Sequence, residues 1–159
     1  MSSLFVRPAE FTDIPDVVAI IADGHKRSRY KDQAWCEGKL KTILRNAIMR
    51  HGKGREACAF VAVSGGSVVG VIVGVLDRLY GISINPYATD VFFLTKQNAP
   101  AKAAAALLNQ FEQWAKSIPD LIEIRLGNTG AVVDYVKSGS LYDRRGYERD
   151  GYFFRKAMQ

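Results

Sequence analysis

The chain has 159 residues, of which 48% are hydrophobic and 24% are charged. This composition is typical of a globular protein that is large enough to build a core without disulfides or structural metals. Lys and Arg number 22 against 16 Asp and Glu, a net charge of +6, which favours an anionic partner: nucleic acid, a phosphorylated cofactor or an acidic surface.

Several protein classes are argued against by the sequence. Cys36 and Cys58 are too few for a disulfide framework and lack metal-ligand spacing, so we expect reduced thiols. Neither His25 nor His51 has neighbouring metal ligands, and no metal is predicted. The apolar runs stop short of the roughly 18 residues that a membrane span needs, and "MSSLFVRPAE" has no signal-peptide core. One cytoplasmic domain over residues 1–159 is expected.

The first half of the chain predicts a strand, two helices and a hairpin. "SLFVRPA" is a strand stopped by Pro8, and Thr12 or Asp13 caps a helix with Pro15 in its first turn. A basic segment, "DGHKRSRYKDQAW", leads to a second helix, "CEGKLKTILRNAIMRHG". "ACAFVAVSGGSVVGVIVGVLD" is a hairpin, because two β-rich runs flank Gly65-Gly66. The first helix has an apolar stripe of Ile14, Val17, Val18, Ile21 and Ala22.

The second half alternates strands and helices. The strand "DVFFL" is followed by an alanine-rich helix, the strand "LIEIRLG", a helix from Thr129 to Arg145, and a last strand "RDGYFFRKAM". A hairpin followed by βα alternation predicts an α/β protein with a central mixed sheet flanked by helices. A purely parallel dinucleotide-binding sheet is disfavoured, because no G-x-G-x-x-G follows the first strand.

This order of elements, with four motifs, resembles the GCN5-related N-acetyltransferase (GNAT) superfamily over essentially the whole chain. The motifs are "VRPAEFTDIPDVVAII", the hairpin "FVAVSGGSVVGVIVG", "DVFFLTKQNAPAKAAAALL" and "SGSLYDRRGYERDGYFFRK". The last is the most specific, since it is similar to the family's "LY-x-x-x-GF" ending. "GHKRSRY", "DVFFL" and "EIRLG" are similar to a subset carried by phages and their hosts.

The resemblance implies that acetyl-coenzyme A binds at the loop before the alanine-rich helix. The family signature R/Q-x-x-G-x-G/A aligns with Ala99, Lys102 and Ala104, of which only the last agrees. Alanine keeps the backbone N–H that a phosphate needs, and Asn98 is placed to cap the helix. The alternative is a tightly packed helix, since alanine is the best helix former. The cofactor-binding residues implied are Phe93, Leu94, Thr95, Lys96, Ala99, Ala101, Lys102, Ala103 and Ala104.

The resemblance also implies catalytic residues. Tyr142 matches the tyrosine of "LY-x-x-x-GF", which in many members protonates the leaving thiolate. Asp90, at the start of the strand before the loop, is the candidate general base. The alternatives are that Tyr142 packs the last helix onto the sheet and that Asp90 is a turn or cap residue.

The basic segment between the first two helices lines the acceptor site in the family. His25, Arg27, Arg29 and Tyr30 are therefore candidate substrate-binding residues, suited to an acidic acceptor. A solvated polar loop is the alternative interpretation. The acceptor itself is predicted only as an amine.

Three functions follow, in order of preference. The first is an N-acetyltransferase that uses acetyl-coenzyme A, with a homodimer compatible because dimers are common in this family. The second is a non-catalytic protein on the same fold, in a phage-related structural or regulatory role, which the altered loop signature favours. The third, a basic nucleic-acid-binding module, accounts for the charge but lacks a recognised binding motif. No membrane partner is predicted.

Overall fold

The protein is built around a mixed five-stranded sheet. A computed structural model describes residues 3–52, 56–128 and 135–158. The strand order is β1-β2-β3-β4-β5, antiparallel except for the parallel β4–β5 pair. The strands are β1 (Leu4–Pro8), β2 (Ala57–Ser64), β3 (Ser67–Arg78), β4 (Pro86–Thr95) and β5 (Ile124–Arg125).

Helices cover both faces of the sheet. Their bounds are α1 (Ile14–Lys26), α2 (Glu37–Arg50), α3 (Ala103–Lys116) and α4 (Tyr135–Arg144). The α1 and α2 helices share one apolar cluster with the sheet, and α3 shares the other. No helix within the described ranges is long and apolar enough to cross a membrane.

The β2 strand supplies both apolar clusters, because successive side chains of a strand point to opposite faces. All of its first seven residues are buried. A strand buried on both faces does not alternate polar and apolar residues. In the sequence it is identified instead by its β-rich composition and by the Gly65-Gly66 turn that follows it. Ala59, Val61 and Val63 face α1 and α2, whereas Cys58, Phe60 and Ala62 face α3.

The hairpin turn between β2 and β3 has the geometry that its sequence predicts. Gly65 and Gly66 have φ values of 58° and 78°. A two-residue turn with both φ values positive matches the twist of the flanking strands, and glycine adopts it without steric cost. The predicted hairpin is therefore confirmed.

The start of α1 is fixed by an ion pair. Asp13 is buried and accepts hydrogen bonds from Arg7 Nη1 at 2.7 Å and Nη2 at 2.9 Å. Its carboxylate also accepts the Glu10 N–H at 2.8 Å, and Pro15 lies in the first turn as expected. The Arg7 hydrogen bond, against the opposing effect of burial, lowers the pKa of Asp13. Strand β1 and helix α1 are thus joined by one bidentate contact.

Three sequence predictions are corrected by the fold. Residues 149–158, predicted as a last strand, are exposed and form no strand. The predicted strand "LIEIRLG" shortens to Ile124–Arg125. Asp90, expected at the start of its strand, lies inside β4 because that strand already begins at Pro86.

The close packing of α3 on β3 generates a stability prediction. A Cβ at Gly74 would lie 2.3 Å from Phe111 Cε2 and 3.1 Å from Cys58 Sγ. We expect Gly74→Ala to lower the free energy of unfolding by about 1–3 kcal/mol, measured by urea denaturation, because the buried ring has no room to withdraw.

The matched control is Gly38→Ala in α2, where the nearest atom to the new Cβ is Cys36 Sγ at 3.8 Å. Here alanine should raise the free energy of unfolding by about 0.5–1 kcal/mol through its better helix propensity. Equal stability of the two variants would show that Phe111 is not tightly held.

Candidate functional site

The parallel ladder between β4 and β5 is very short. Only Ala88–Ile124 and Thr89–Arg125 are paired. At the next residue, Asp90, the side-chain Oδ1 accepts the Gly127 N–H at 3.2 Å. Among the described residues, no β4–β5 pair follows Thr89–Arg125. On its other side β4 contains a bulge at this point, since Gly74 pairs with Asp90 and Val73 with Phe92.

A cavity of about 480 Å³ lies where β4 continues without β5 beside it. Its walls are the end of β4, the start of α3 and the inner face of α4. Four of its lining residues are polar or charged side chains of α4, whereas Phe93 and Leu94 of β4 and two alanines of α3 make other parts of the lining apolar. The lining residues are Phe93, Leu94, Thr95, Ala101, Ala104, Ala105, Val136, Lys137, Ser138, Ser140, Leu141 and Arg144.

The start of α3 contributes Ala104 and Ala105 to this cavity. The Ala103 N–H donates to the Pro100 carbonyl at 2.9 Å, and among the described residues no backbone carbonyl outside the helix accepts the N–H of Ala104 or Ala105. First-turn amides have no acceptor within their own helix, and the helix dipole adds partial positive charge there. The first turn of α3 is therefore suited to lie near an anion.

The helix begins four residues later than its sequence suggests. Asn98 was the expected cap, whereas Lys102 is the N-cap and Ala103 is the first helical residue. Residues 97–102 instead form turns, in which the Ala99 N–H is accepted by the Lys96 carbonyl at 3.1 Å. The expectation for Asn98 is therefore wrong, because local turn bonds satisfy the loop before the helix starts.

Two cations of α4 lie on the cavity wall opposite α3. Lys137 and Arg144 are exposed and line the cavity, and neither forms an ion pair within the described chain. Seven residues apart, they share one face of the helix. None of the lining residues that the structure describes is acidic. The sequence prediction missed both, although their spacing on one helix face was visible in it.

Tyr142 lies on α4 behind this wall, packed between two aromatic rings. It is 9% exposed, and its ring centroid is 6.5 Å from Phe93 and 5.8 Å from Tyr147. Burial, followed by the nearby negative charge of Asp90, raises the pKa of the Tyr142 hydroxyl. The phenol is therefore protonated at neutral pH, and the two predicted catalytic residues influence each other.

Asp90 combines burial with hydrogen bonds from the backbone of Gly127 and from its own backbone. Burial raises the pKa of its carboxyl, and the hydrogen bond from Gly127 only partly opposes that effect. A carboxylate with a raised pKa is a stronger base than an exposed one. Asp90 is thus suited to accept a proton, which remains a prediction for its role.

The predicted acceptor segment follows α1 and lies outside the cavity lining. His25 Nε2 donates to the Gln33 carbonyl at 2.8 Å, Arg27 Nε donates to Asp23 at 2.9 Å, and Arg29 lies 5.3 Å from the Tyr30 ring centre. These contacts fold the segment onto itself.

The segment is nevertheless joined to the cavity through α1. A Cβ at Gly24 would lie 2.5 Å from Leu94 Cδ2, so the end of α1 packs directly on a cavity-lining residue of β4. Gly24, which contacts the cavity wall, is therefore followed directly by His25, the first of the four predicted substrate-binding residues.

The predicted cofactor-binding residues divide into two groups. Phe93, Leu94, Thr95, Ala101 and Ala104 line the cavity, whereas four others do not. Ala103 is fully buried against the core, Lys102 is exposed, and Lys96 donates its N–H to the Val69 carbonyl at 2.8 Å, as Ala99 donates to Lys96. Among the described residues no group of three or more His, Cys, Asp or Glu could hold a metal ion.

Neither a protein-family model nor a curated protein matches the sequence. Solved structures match its fold. A predicted acetyltransferase with acetyl-CoA from Clostridium acetobutylicum has a TM-score of 0.73 at 12% identity, covering 98% of this chain and 96% of that one. Glucosamine-6-phosphate N-acetyltransferase from Arabidopsis thaliana has 0.71 at 8% identity, covering 99% of each. A transcriptional regulator from Bacillus halodurans C-125 has 0.69 at 18% identity, covering 98% and 100%.

The mixed sheet flanked by helices is therefore the acyl-CoA N-acyltransferase fold of the GNAT proteins, and the predicted fold class is confirmed. At these identities the likeness shows the fold alone. Because the matching structures include a transcriptional regulator as well as acetyltransferases, the activity of this chain must be argued from its own cavity. Its resemblance to a phage-associated subset stays a prediction.

The burial of Asp90 predicts a pH-dependent effect of its replacement. Above the ordinary aspartate pKa of 3.8 the unfolded chain ionises first, so the parent loses stability as the pH rises through the raised folded pKa. Asn at position 90 keeps an acceptor for the Gly127 N–H but cannot ionise. The stability of Asp90→Asn relative to the parent should therefore increase with pH above 3.8, as measured by urea unfolding across the acid range. A difference independent of pH would mean that Asp90 is effectively solvated.

Proposed function

We propose that the chain is an N-acetyltransferase that uses acetyl-coenzyme A as its acyl donor. The observation on which this rests is the cavity between β4, α3 and α4, which combines the first turn of α3, two cations and, within the described ranges, no acidic lining residue. Such a wall suits the diphosphate of coenzyme A. The acetyltransferases among the structures with this fold support the same conclusion.

The residues present fit the donor without the glycines of the family signature. Ala104 and Ala105 offer backbone N–H groups to the diphosphate, while Lys137 and Arg144 supply full positive charge from α4. The methylene and methyl groups of the pantetheine arm, which are interspersed with its two amides, suit the side of the cavity formed by Phe93. In this arrangement the positive charge of Lys137 and Arg144 on α4 compensates for the absence of glycines in the loop before α3.

The proposed chemistry divides between Asp90 and Tyr142. When the neutral amine attacks the thioester carbonyl, a C–N bond forms, the C–S bond breaks, and the amine loses a proton as the thiolate gains one. We assign the first proton transfer to Asp90 and the second to Tyr142. Burial is the main reason that the pKa of Tyr142 is raised, and the negative charge of Asp90 adds a smaller contribution that protonation of Asp90 removes. The uptake of the first proton therefore makes the tyrosine a better acid for the second.

The acceptor is proposed to approach from the α1 side, over Leu94. His25, Arg27, Arg29 and Tyr30 form the polar and aromatic surface that follows the Gly24–Leu94 contact. An amine whose remaining groups are acidic suits this basic segment.

A non-catalytic protein on the same fold is the alternative function. The glycine-free loop and the likeness to a transcriptional regulator favour it. The two functions differ in whether the cavity binds acetyl-coenzyme A, since a ligand that binds only the folded state raises its stability.

The first test is coenzyme binding by α4. Saturating acetyl-coenzyme A, at about 100 times its dissociation constant, should stabilise the parent by about 2.7 kcal/mol in thermal or urea unfolding. Lys137→Glu and Arg144→Glu should each weaken calorimetric affinity by about tenfold, because each places a negative charge on the cavity wall.

Two charge-matched controls accompany these variants. Lys102→Glu alters a cation at the N-cap of α3 but outside the cavity lining, and its effect should be smaller. Lys39→Glu lies exposed on α2, packed on the other face of the sheet, and should have no effect. If acetyl-coenzyme A does not stabilise the parent, the proposed function is excluded. If all four variants lose the same affinity, the change reflects the net charge of the protein and not a site on α4.

The second test separates the two roles of Tyr142. Tyr142→Phe keeps the ring packing against Phe93 and deletes only the hydroxyl. Turnover should fall by about 10²–10³-fold, as for loss of a general acid, while Tm and coenzyme affinity barely change. Where no amine acceptor is yet found, hydrolysis of acetyl-coenzyme A provides the assay. Unchanged turnover would remove Tyr142 from the chemistry.

A further inference from the structure

A partly buried carboxylate on α3, that of Glu112, connects to the end of α4 through two side chains. Glu112 Oε1 accepts Arg145 Nε at 2.9 Å and the Tyr147 hydroxyl at 3.1 Å. Its second oxygen accepts Arg145 Nη2, which also donates to Asn109 Oδ1 at 3.3 Å. The side chains of Glu112 and Arg145 are only 14% and 27% exposed. We call Glu112, Arg145 and Tyr147 the α3–α4 clamp.

The same two residues of the clamp hold the backbone of Tyr142. The Tyr142 carbonyl accepts the N–H of Arg145 at 3.0 Å and that of Tyr147 at 3.1 Å. Gly146, with a φ of 83°, makes the turn between them. The Tyr147 ring lies 5.8 Å from the Tyr142 ring. Glu112 therefore binds the side chains of Arg145 and Tyr147, the two residues whose N–H groups donate to the Tyr142 carbonyl at the end of α4.

We propose that the α3–α4 clamp is a positioning device that fixes the Tyr142 hydroxyl relative to the cavity. This inference rests on the proposed function, and it assigns to Glu112, Arg145 and Tyr147 a role in the rate of proton transfer without contact with the reacting atoms. The clamp ties the helix that bears Tyr142 to the helix that begins the anion-binding wall. The Glu112 carboxylate thereby determines the distance between Tyr142 on α4 and the proposed coenzyme site at the start of α3.

The geometry of the clamp favours positioning over a simple surface ion pair. Arg145 contacts both carboxylate oxygens, and a bidentate pair of this kind fixes direction as well as distance. Burial opposes the charge of Glu112, yet the hydrogen bonds from Arg145 and Tyr147 together hold its pKa below the ordinary value. A misplacement of about 1 Å can lower a rate by about 100-fold, so a rigid support for the acid has a measurable consequence.

The clamp is tested first by steady-state kinetics. Glu112→Gln removes the charge with little change in shape, and Tyr147→Phe removes one hydroxyl from the clamp. We expect kcat to fall by about tenfold or more in Glu112→Gln and by less in Tyr147→Phe, with coenzyme affinity and acceptor KM nearly unchanged. The matched control is Asp143→Asn, which breaks the exposed Asp143–Arg149 pair next to Tyr142 and should leave kcat at the parent value.

A double-mutant cycle distinguishes positioning from general stabilisation. If the clamp acts through the Tyr142 hydroxyl, Glu112→Gln should lower kcat in the parent but have almost no further effect in a Tyr142→Phe background. Equal losses in both backgrounds would overturn the proposal. Should Glu112→Gln fail to fold, the same cycle with Tyr147→Phe decides the question.

Amide hydrogen exchange tests the clamp independently of activity. The N–H groups of Arg145 and Tyr147 should exchange at least about tenfold faster in Glu112→Gln than in Asp143→Asn, because their shared acceptor is no longer held. Unchanged exchange would overturn the clamp even in an active enzyme. A parent that neither binds acetyl-coenzyme A nor turns over would instead exclude the proposed function, while the exchange result still decides whether the clamp holds Tyr142.

Discussion

The cavity exists because the pairing of β4 with β5 stops after two residues. A longer ladder would place β5 along Phe93 and Leu94 and fill the space between α3 and α4. Beyond the last pair the two segments are joined through a side chain, because the Asp90 carboxylate accepts the Gly127 N–H. The residue proposed as the general base thus lies at the point where the two strands stop pairing.

The proposed anion site is formed by two helices rather than by one loop. Glycines allow a loop backbone to approach a phosphate closely, whereas in the proposed site the start of α3 would offer alanine amides and α4 would add side-chain charge. Ala103 is buried against the sheet while Ala104 and Ala105 face the cavity. One face of the alanine run packs on the core and the other lines the cavity. The two interpretations of the run, tight packing and coenzyme binding, therefore concern different faces of one helix.

What the sequence could predict was local. Gly65-Gly66 determines its own turn, and the β-rich runs around it pair with each other without help from the rest of the chain. The start of α3 was misplaced because bonds between loop residues such as Ala99 and Lys96, which compete with helix capping, leave no mark in the sequence. The last strand was predicted wrongly for another reason. The aromatic residues Tyr152, Phe153 and Phe154 favour a strand by composition, but a strand forms only where a neighbouring sheet edge pairs with it. Lys137 was missed because β4 and α3, which form the rest of the cavity wall, are distant from it in the sequence.

The packing of α3 on the sheet also determines the reactivity of the thiols. Cys58 lies beneath Gly74 and Phe111, and burial raises the pKa of its thiol to about 12. Almost none of it is thiolate at neutral pH, and no alkylating reagent reaches it while the sheet is closed. Cys36 is exposed at the start of α2. The chain therefore contains one thiol that accepts a label in the native state and one that becomes reactive only when β2 and α3 part, so the labelling rate of Cys58 follows the opening of the core.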